Sequence, residues 1–255
     1  GKSVADAAGE WKAYKAAQNT VLQNASNAYA TAGLSANAYM ETVTGFAASL
    51  KQSFDGTAAG AQAAAIAADM AVTDIADNAN KMGTNMTSIQ DAYQGFAKQN
   101  FSMLDNLKLG YSGTKAEMER LIANASAMTA EQEKLNVAVD AGDLSFGNIV
   151  NAISVVQEHL GIAGTTATEA ATTIEGSAKA MKSAWQNLVT GMANENLDLS
   201  ALIENFVGSI QTFLDDNLIP RIQTMLPRMV EALTQLIGAM TPYIAPALQM
   251  LLPVI

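Results

Sequence analysis

The amino-acid sequence predicts an all-α protein: a bundle of Ala-rich amphipathic helices followed by a Pro-punctuated, hydrophobic helical extension. Three observations carry that expectation. Apolar residues recur at spacings of 3 and 4 along most of the chain, the period of one helix face. Apolar–polar alternation never runs longer than 136–139, too short and isolated to build a sheet. All five prolines (Pro220, Pro227, Pro242, Pro246, Pro253) fall at the C-terminal end, so everything before them lacks the strongest helix breaker.

The elements follow in order. Residues 1–31 read as an extended polar, Ala-rich helix whose larger apolar side chains include Trp11, Tyr14, Val21, Leu22 and Tyr29. Gly33 is a stop and Ser35 an N-cap for the next helix. There Tyr39, Val43, Phe46 and Leu50 share one face, and Asp55-Gly56 marks a turn. A long Ala-rich helix carries the stripe Ala65, Ala68, Val72, Ile75, Ala79 and Met82, closed by Gly83. Its small residues permit close approach of a neighbouring helix. A helix over about 86–98 leads into a loop over 99–113. Three matches to the capping box, Thr114/Glu117, Thr129/Gln132 and Thr166/Glu169, sign the helix starts that follow. Phe146, Ile149, Ile153, Val156 and Leu160 form another face, ended by Gly161.

The cleanest period comes next. Ile174, Ala178, Met181, Trp185, Leu188 and Met192 step by 4, 3, 4, 3 and 4, which predicts a packing seam within the bundle. If its ring is buried there, truncating Trp185 to Ala costs about 3–5 kcal/mol. Beyond Leu197 the apolar stripe widens, and no charged residue follows Glu231. The organisation expected is therefore an extended helix (1–31), a compact bundle (32–197) and a hydrophobic helical extension (198–255). The start at Gly1 and the stop inside an apolar pattern read as a fragment of a longer protein.

Composition narrows the chemistry. The 255 residues are 49% hydrophobic, 15% charged and 6% aromatic, with net charge −10. Such a balance argues against a nucleic-acid-binding patch, which needs clustered Lys and Arg. Without cysteine there are no disulfides and no thiolate nucleophiles or ligands, and a single histidine, His159, excludes a multi-histidine metal site within one chain. His159 beside Glu158 lacks a nucleophile and reads as a helix C-terminal histidine. Asp69, Asp74, Asp77 and Asn78 read as a solvated helix face rather than a cation site, since no Asp-x-Asp-x-Asp-Gly loop is present. Gly161 and Gly164 read as a helix stop and loop, not a phosphate cradle. Aromatic residues are scattered singly, with no sign of a groove for paired-carboxylate glycoside hydrolysis. The expectation is no enzymatic activity, no cofactor and no metal. The neutral stretch 232–255 has the length of a membrane span, but its prolines and polar residues favour a buried helix pair in a larger assembly.

Several stretches, in one order over about residues 30–225, resemble phage tail length tape measure proteins, in that family's N-terminal helical region of Gram-positive phage and prophage type. They are GLSANAYMETVT (33–44), MAVTDIADNANKMG (70–83), IQDAYQGFAKQN (89–100), MLDNLKLGY (103–111) and GTKAEME (113–119). VVQ (155–157), GIAGTT (161–166), SAWQNLVTG (183–191) and NLIPR (217–221) continue the series. The most specific part is the loop region bearing Tyr93, Gly95, Phe96, Phe101, Gly110, Tyr111 and Gly113. The resemblance implies a structural and assembly protein of the virion, made in the host cytoplasm and housed in the tail lumen. In such proteins helical length sets tail-tube length and the tape is released before DNA passage; at ~1.5 Å per residue a wholly helical chain of this size would span about 380 Å. It also implies self-association, tail-tube subunits and tail assembly chaperones as partners. Insertion of 232–255 into the host membrane on ejection is a further implied contact. The repetitive rod-like ruler segment is not visible in this sequence. The alternative is a membrane-active, pore-forming or envelope-penetrating protein that uses 198–255.

Overall fold

The computed structural model describes residues 4–193 and 198–251, and among them there is no strand. The all-α class is as the sequence predicts. The helices are α1 (Val4–Thr31), α2 (Ala36–Thr44), α3 (Ala47–Ser53), α4 (Ala58–Met82), α5 (Met86–Phe96), α6 (Lys115–Ala127) and α7 (Thr129–Leu135). They continue with α8 (Phe146–His159), α9 (Thr165–Thr172), α10 (Ile174–Met192), α11 (Leu199–Gln211) and α12 (Ile219–Leu251). A 3₁₀ turn (Leu104–Leu107) sits in the loop after α5, and a π-helical turn (Thr212–Leu218) joins α11 to α12.

Helix α4 is the axis of the bundle, packed against α1, α2, α3, α5, α8 and α9. Its stripe of small residues explains how so many neighbours fit. Ala67, Ala68, Ala71, Val72, Ile75 and Ala76 are all buried, and without long side chains on this face the surrounding helices close in. A continuous apolar core runs from there through Tyr39, Phe46, Tyr93, Phe96 and Leu121 to Ile149 and Ile153. Phe46 meets Phe146 edge-on, with ring centroids 5.7 Å apart.

The local signals are sound at most helix ends. The Ser35 hydroxyl accepts from the Ala38 amide and caps α2. Gly33, Gly83 and Gly161 all take the left-handed conformation that stops a helix. Of the three capping boxes, only Thr114 caps its own helix, accepting from the Glu117 amide, while the Glu117 carboxylate reaches back to the Ser112 amide rather than to that of Thr114. Met128, not Thr129, is the cap position of α7 and makes no side-chain bond; Gln132 instead donates to the Ala125 and Ser126 carbonyls. The start of α9 is capped from outside its own sequence, as described below.

The domain boundaries differ from those read in the sequence. Among the described residues the helix expected over 1–31 forms from Val4 to Thr31, but it lies along α4 and buries Ala17, Ala25 and Ala28, so it belongs to the bundle. Trp11 stays 72% exposed. At the other end, α11 packs on α10, so the bundle extends past 198 to the π-helical turn.

The seam along α10 is also displaced. The face turned inward holds Gly176, Ser177, Ala180, Ser183, Ala184, Asn187, Leu188 and Gly191. Of the predicted seam, Leu188 is buried, Ile174, Ala178 and Met181 are half-buried, and Trp185 and Met192 are exposed. Small residues won the inner face because α1, α2 and α9 approach closely there, and Ser183 and Asn187 bond across it to the Gly33 carbonyl and the Ala36 amide. Trp185 is 49% exposed and rests on Phe206 of α11, with ring centroids 5.2 Å apart. Trp185→Ala is accordingly expected to cost only about 1–1.5 kcal/mol, half the value of a fully buried large side chain. A urea denaturation midpoint shifted by no more than that checks the revised face.

From Ile219 to Ala239 every side chain of α12 is exposed. The helix runs through Pro227, Pro242 and Pro246 without ending. Each proline gives up one backbone bond, and at Pro227 the exposed setting leaves the freed carbonyl to water.

Candidate functional site

Two features outside ordinary apolar packing stand out: a buried polar cluster around α4, and the exposed arm α12 with its root.

The cluster begins with Asp74, Asp77 and Asn78, all buried, where the sequence suggested a solvated face. Asp77 reaches from α4 to the start of α9. One carboxylate oxygen accepts from the Gly164 amide at 2.6 Å and the other from the Thr166 amide at 2.8 Å. These amides have no partner within their own helix, so Asp77 performs the N-cap task expected of Thr166. Burial pushes its pKa up, while the Thr166 and Gly164 amides pull it back. Asn78 donates to the Leu107 carbonyl at 2.9 Å and fastens the loop after α5.

Asp74 is fully enclosed, and burial drives its pKa well above the ordinary carboxylate range, aided by the nearby charge of Asp77 and opposed by Ser154 and Tyr93. The Ser154 hydroxyl lies within bonding distance of both Asp74 Oδ2 and the Val150 carbonyl. A hydroxyl has one hydrogen and cannot donate to both. A protonated Asp74 resolves the conflict: it donates to Ser154, which donates onward to Val150. Gln157 donates to the Asp74 carbonyl at 3.4 Å, and its Oε1 is left without a partner. The Tyr93 hydroxyl is close enough to Asp74 and Gln157 to respond to both, yet makes no hydrogen bond of good geometry; burial keeps it protonated. At the edge of the cluster, the Tyr39 hydroxyl donates to Asp69 at 3.0 Å.

The loop residues singled out in the sequence occupy two settings. Tyr93, Gly95 and Phe96 are on α5, with Tyr93 and Phe96 fully buried. Phe101 and Tyr111 lie beyond it and are also buried; Phe101 sits 6.3 Å from Phe96. Gly110 has φ +85°, and at Gly113 a Cβ would meet the Ser102 carbonyl oxygen at 2.2 Å, which fixes glycine at both. This aperiodic stretch is therefore a packed structural lid, bonded to α4 through Leu107 and Lys108 and to α6 through Gly110 and Tyr111. His159 pairs with Glu131 at 2.8 Å on the surface, alongside a Lys134–Glu158 pair, and together they tie α7 to α8.

The arm is rooted by polar contacts. Asn217 is buried and donates to the Ala171 carbonyl at 3.0 Å and the Thr212 carbonyl at 2.9 Å. Arg221 donates to the Thr172 carbonyl at 3.3 Å. The last carbonyls of α9 thus gain donors, one of them cationic, where a helix end favours positive charge.

A half-open hollow of about 340 Å³ between α4, α9 and α10 is lined by Gly33, Thr84, Thr166, Glu169, Glu175 and Lys179 among others. It contains no cysteine or histidine, and Thr166 Oγ1 at its wall is buried without a partner. Among the described residues there is no group of acids and histidines placed to hold a metal ion, and no helix is long and apolar enough to cross a membrane. Comparison with protein-family models, with curated proteins and with solved structures finds no match.

Proposed function

We propose that this chain is a structural and assembly segment of a phage tail tape measure, without enzymatic activity. The observation that carries the reading is where the family-like stretches fall in the fold. Asp74 and Asp77 (70–83), Tyr93 (89–100), Gln157 (155–157) and Gly164 and Thr166 (161–166) meet in one buried polar cluster. Asn217 and Arg221 (217–221) root the arm. Scattered Ala-rich similarity has no reason to coincide with the buried polar groups of a fold, whereas motifs that specify one fold do. The work such a bundle performs is mechanical: it presents a long helical arm at a defined point of an assembly. Its partners would be further copies, tail-tube subunits and assembly chaperones, within the virion tail.

Mass spectrometry of purified tails before and after DNA ejection tests this. The expected result is peptides of this chain in intact tails and their loss from emptied ones. Their absence from intact tails would overturn the reading.

A second reading, an envelope-penetrating protein, draws on the exposed apolar face of α12. It ranks lower because the polar face over 219–239 carries only Arg221 and Arg228 as cations, whereas interfacial helices are rich in Lys and Arg there. Vesicle flotation of the chain against a version ending at Asp198 separates the two, with equal and negligible flotation of both sinking the membrane reading.

A further inference from the structure

We infer that the hollow between α1, α3 and α4 is a binding site for a fatty carboxylate of about ten carbons, its chain laid along the alanines of α4 and its head group at Lys51. Nothing in this depends on the mechanical role proposed above.

The hollow measures about 290 Å³. Ala17 of α1, Val43 of α2, Leu50 of α3 and Ala65 and Ala68 of α4 are buried and form its floor. The polar side chains of its lining, Tyr14, Gln18 and Lys51, are all exposed and stand at its rim. A deep apolar surface with a few polar groups at one end is the usual make-up of a small-molecule site. An apolar cavity of about 150 Å³ holds one benzene, so there is room here for roughly twelve carbon atoms. A docked helix needs far more surface, since a specific protein interface takes ~800 Å² from each partner.

Its walls are anchored apart. Between 61 and 68 the face of α4 toward the hollow carries Ala61, Ala64, Ala65 and Ala68, and side chains this small let neighbouring helices close in unless something else positions them. On one side Gln62 of α4 donates to the Thr20 hydroxyl of α1 at 2.9 Å and accepts from it at 3.3 Å. On the other, Ser49 of α3 donates to the Ala97 carbonyl at 3.1 Å, and Ser53 accepts from the Gly147 amide at 3.1 Å. These bonds fasten α3 to the end of α5 and to α8 rather than to α1. Across the opening between α1 and α3 lies the Lys51 ammonium, 5.5 Å from the centre of the Tyr14 ring. An exposed cation–π contact is weak, so the ammonium is free to turn to an anion.

Charge selects the head group. The chain carries 24 acids against 14 Lys and Arg, yet residues 11–68, which supply every wall, hold only Glu41 and Asp55. Asp55 is engaged by the amide and hydroxyl of Thr57. Against these two stand Lys12, Lys15 and Lys51. A strongly acidic protein thus keeps acids away from this opening and places an ammonium at its rim. An alkyl carboxylate matches both the floor and the rim, whereas an alkyl cation matches the floor alone.

Titration of the whole chain with sodium decanoate, kept below its micelle concentration, is followed by calorimetry and by NMR of ¹³C-methyl alanine. The expected result is saturable binding of one decanoate per chain, with methyl shifts confined to the alanines of α1, α3 and α4 that line the hollow. Lys51→Glu is expected to weaken binding about tenfold, the loss of one charge-assisted contact. Decyltrimethylammonium should bind the parent more weakly than decanoate by a similar factor. Ala61→Leu, which puts a larger side chain into the half-buried wall, should abolish saturable binding. Lys51 is exposed, so its replacement leaves thermal unfolding unchanged. Should Ala61→Leu lower the unfolding temperature, Lys51→Glu and the cationic amphiphile decide the matter. The inference is overturned if decanoate shows no saturable binding, or if the cationic amphiphile binds as tightly. Alanine shifts that appear on raising the protein concentration alone would mean that a second chain fills the hollow, and would overturn it equally.

Discussion

Asp77→Ala is expected to destabilise the bundle by about 2–4 kcal/mol, since it strands the buried Thr166 amide at ~1–3 kcal/mol and removes charge-assisted bonds to it and to the part-buried Gly164 amide. The amides of Gly164 and Thr166 open α9, and their acceptors come from α4, 87 and 89 residues earlier in the chain. The loss is therefore tertiary as well as local: α9 is held to α4 at this point, and the carbonyls at its other end anchor the root of the arm through Asn217 and Arg221. Asp77→Asn should cost about half as much, because an amide keeps one acceptor but turns a donor toward the second N–H. Guanidinium denaturation reads both, as a lowered midpoint at constant slope. If the two variants lose equal stability, or neither loses more than ~0.5 kcal/mol, the value expected of an ordinary surface substitution, then Asp77 is not the cap of α9.

That cap shows which parts of the structure were legible in the sequence. Helix class, most helix stops and the faces carrying Tyr39, Val43, Phe46 and Leu50 or Phe146, Ile149 and Ile153 follow from spacing alone, because a large apolar side chain has nowhere better to go than the core. The α10 face was misplaced for the complementary reason. Spacing rules weigh large residues, whereas close helix approach selects small ones, and Gly176, Ala180, Ser183 and Ala184 are silent in a hydrophobicity count. The acidic run on α4 was read as solvated because carboxylates usually are. Yet Asp74 and Asn78 are in phase with Ala67 and Ala71, three, four and seven residues apart, on a face that had to be buried. A polar residue at a core phase was the available signal for the cluster. Its partners, Ser154 and the Gly164 and Thr166 amides, come from remote sequence and could not be paired without the fold. The Thr166/Glu169 pattern failed for the same reason: a capping box is a local solution, and a buried carboxylate from α4 supplied a better acceptor.

The enclosed Asp74 leads to the second large effect, one that appears only when pH is varied. Burial raises its pKa well above the unfolded value, so between the ordinary carboxylate range of about 4 and the folded pKa the native state holds a proton that the unfolded chain has released. Stability contributed by Asp74 is thus complete at acid pH and is lost as pH rises toward the folded pKa. Asp69 and Asp77, also shifted upward by burial, add slopes of the same sign, so the parent alone cannot isolate Asp74. Asp74→Asn can. The amide reproduces the donor that a protonated carboxyl offers to Ser154 and has no proton to lose. At pH 4 the variant and parent are expected to be equally stable. By pH 8 the variant should be the more stable by about 1–3 kcal/mol, the cost of a buried polar group out of balance with its partners. Chemical denaturation across that range gives the difference directly. Two parallel curves would mean that Asp74 titrates as it does in the unfolded chain. A variant less stable at every pH would mean that the carboxylate itself, and not the acid, is what Ser154 binds.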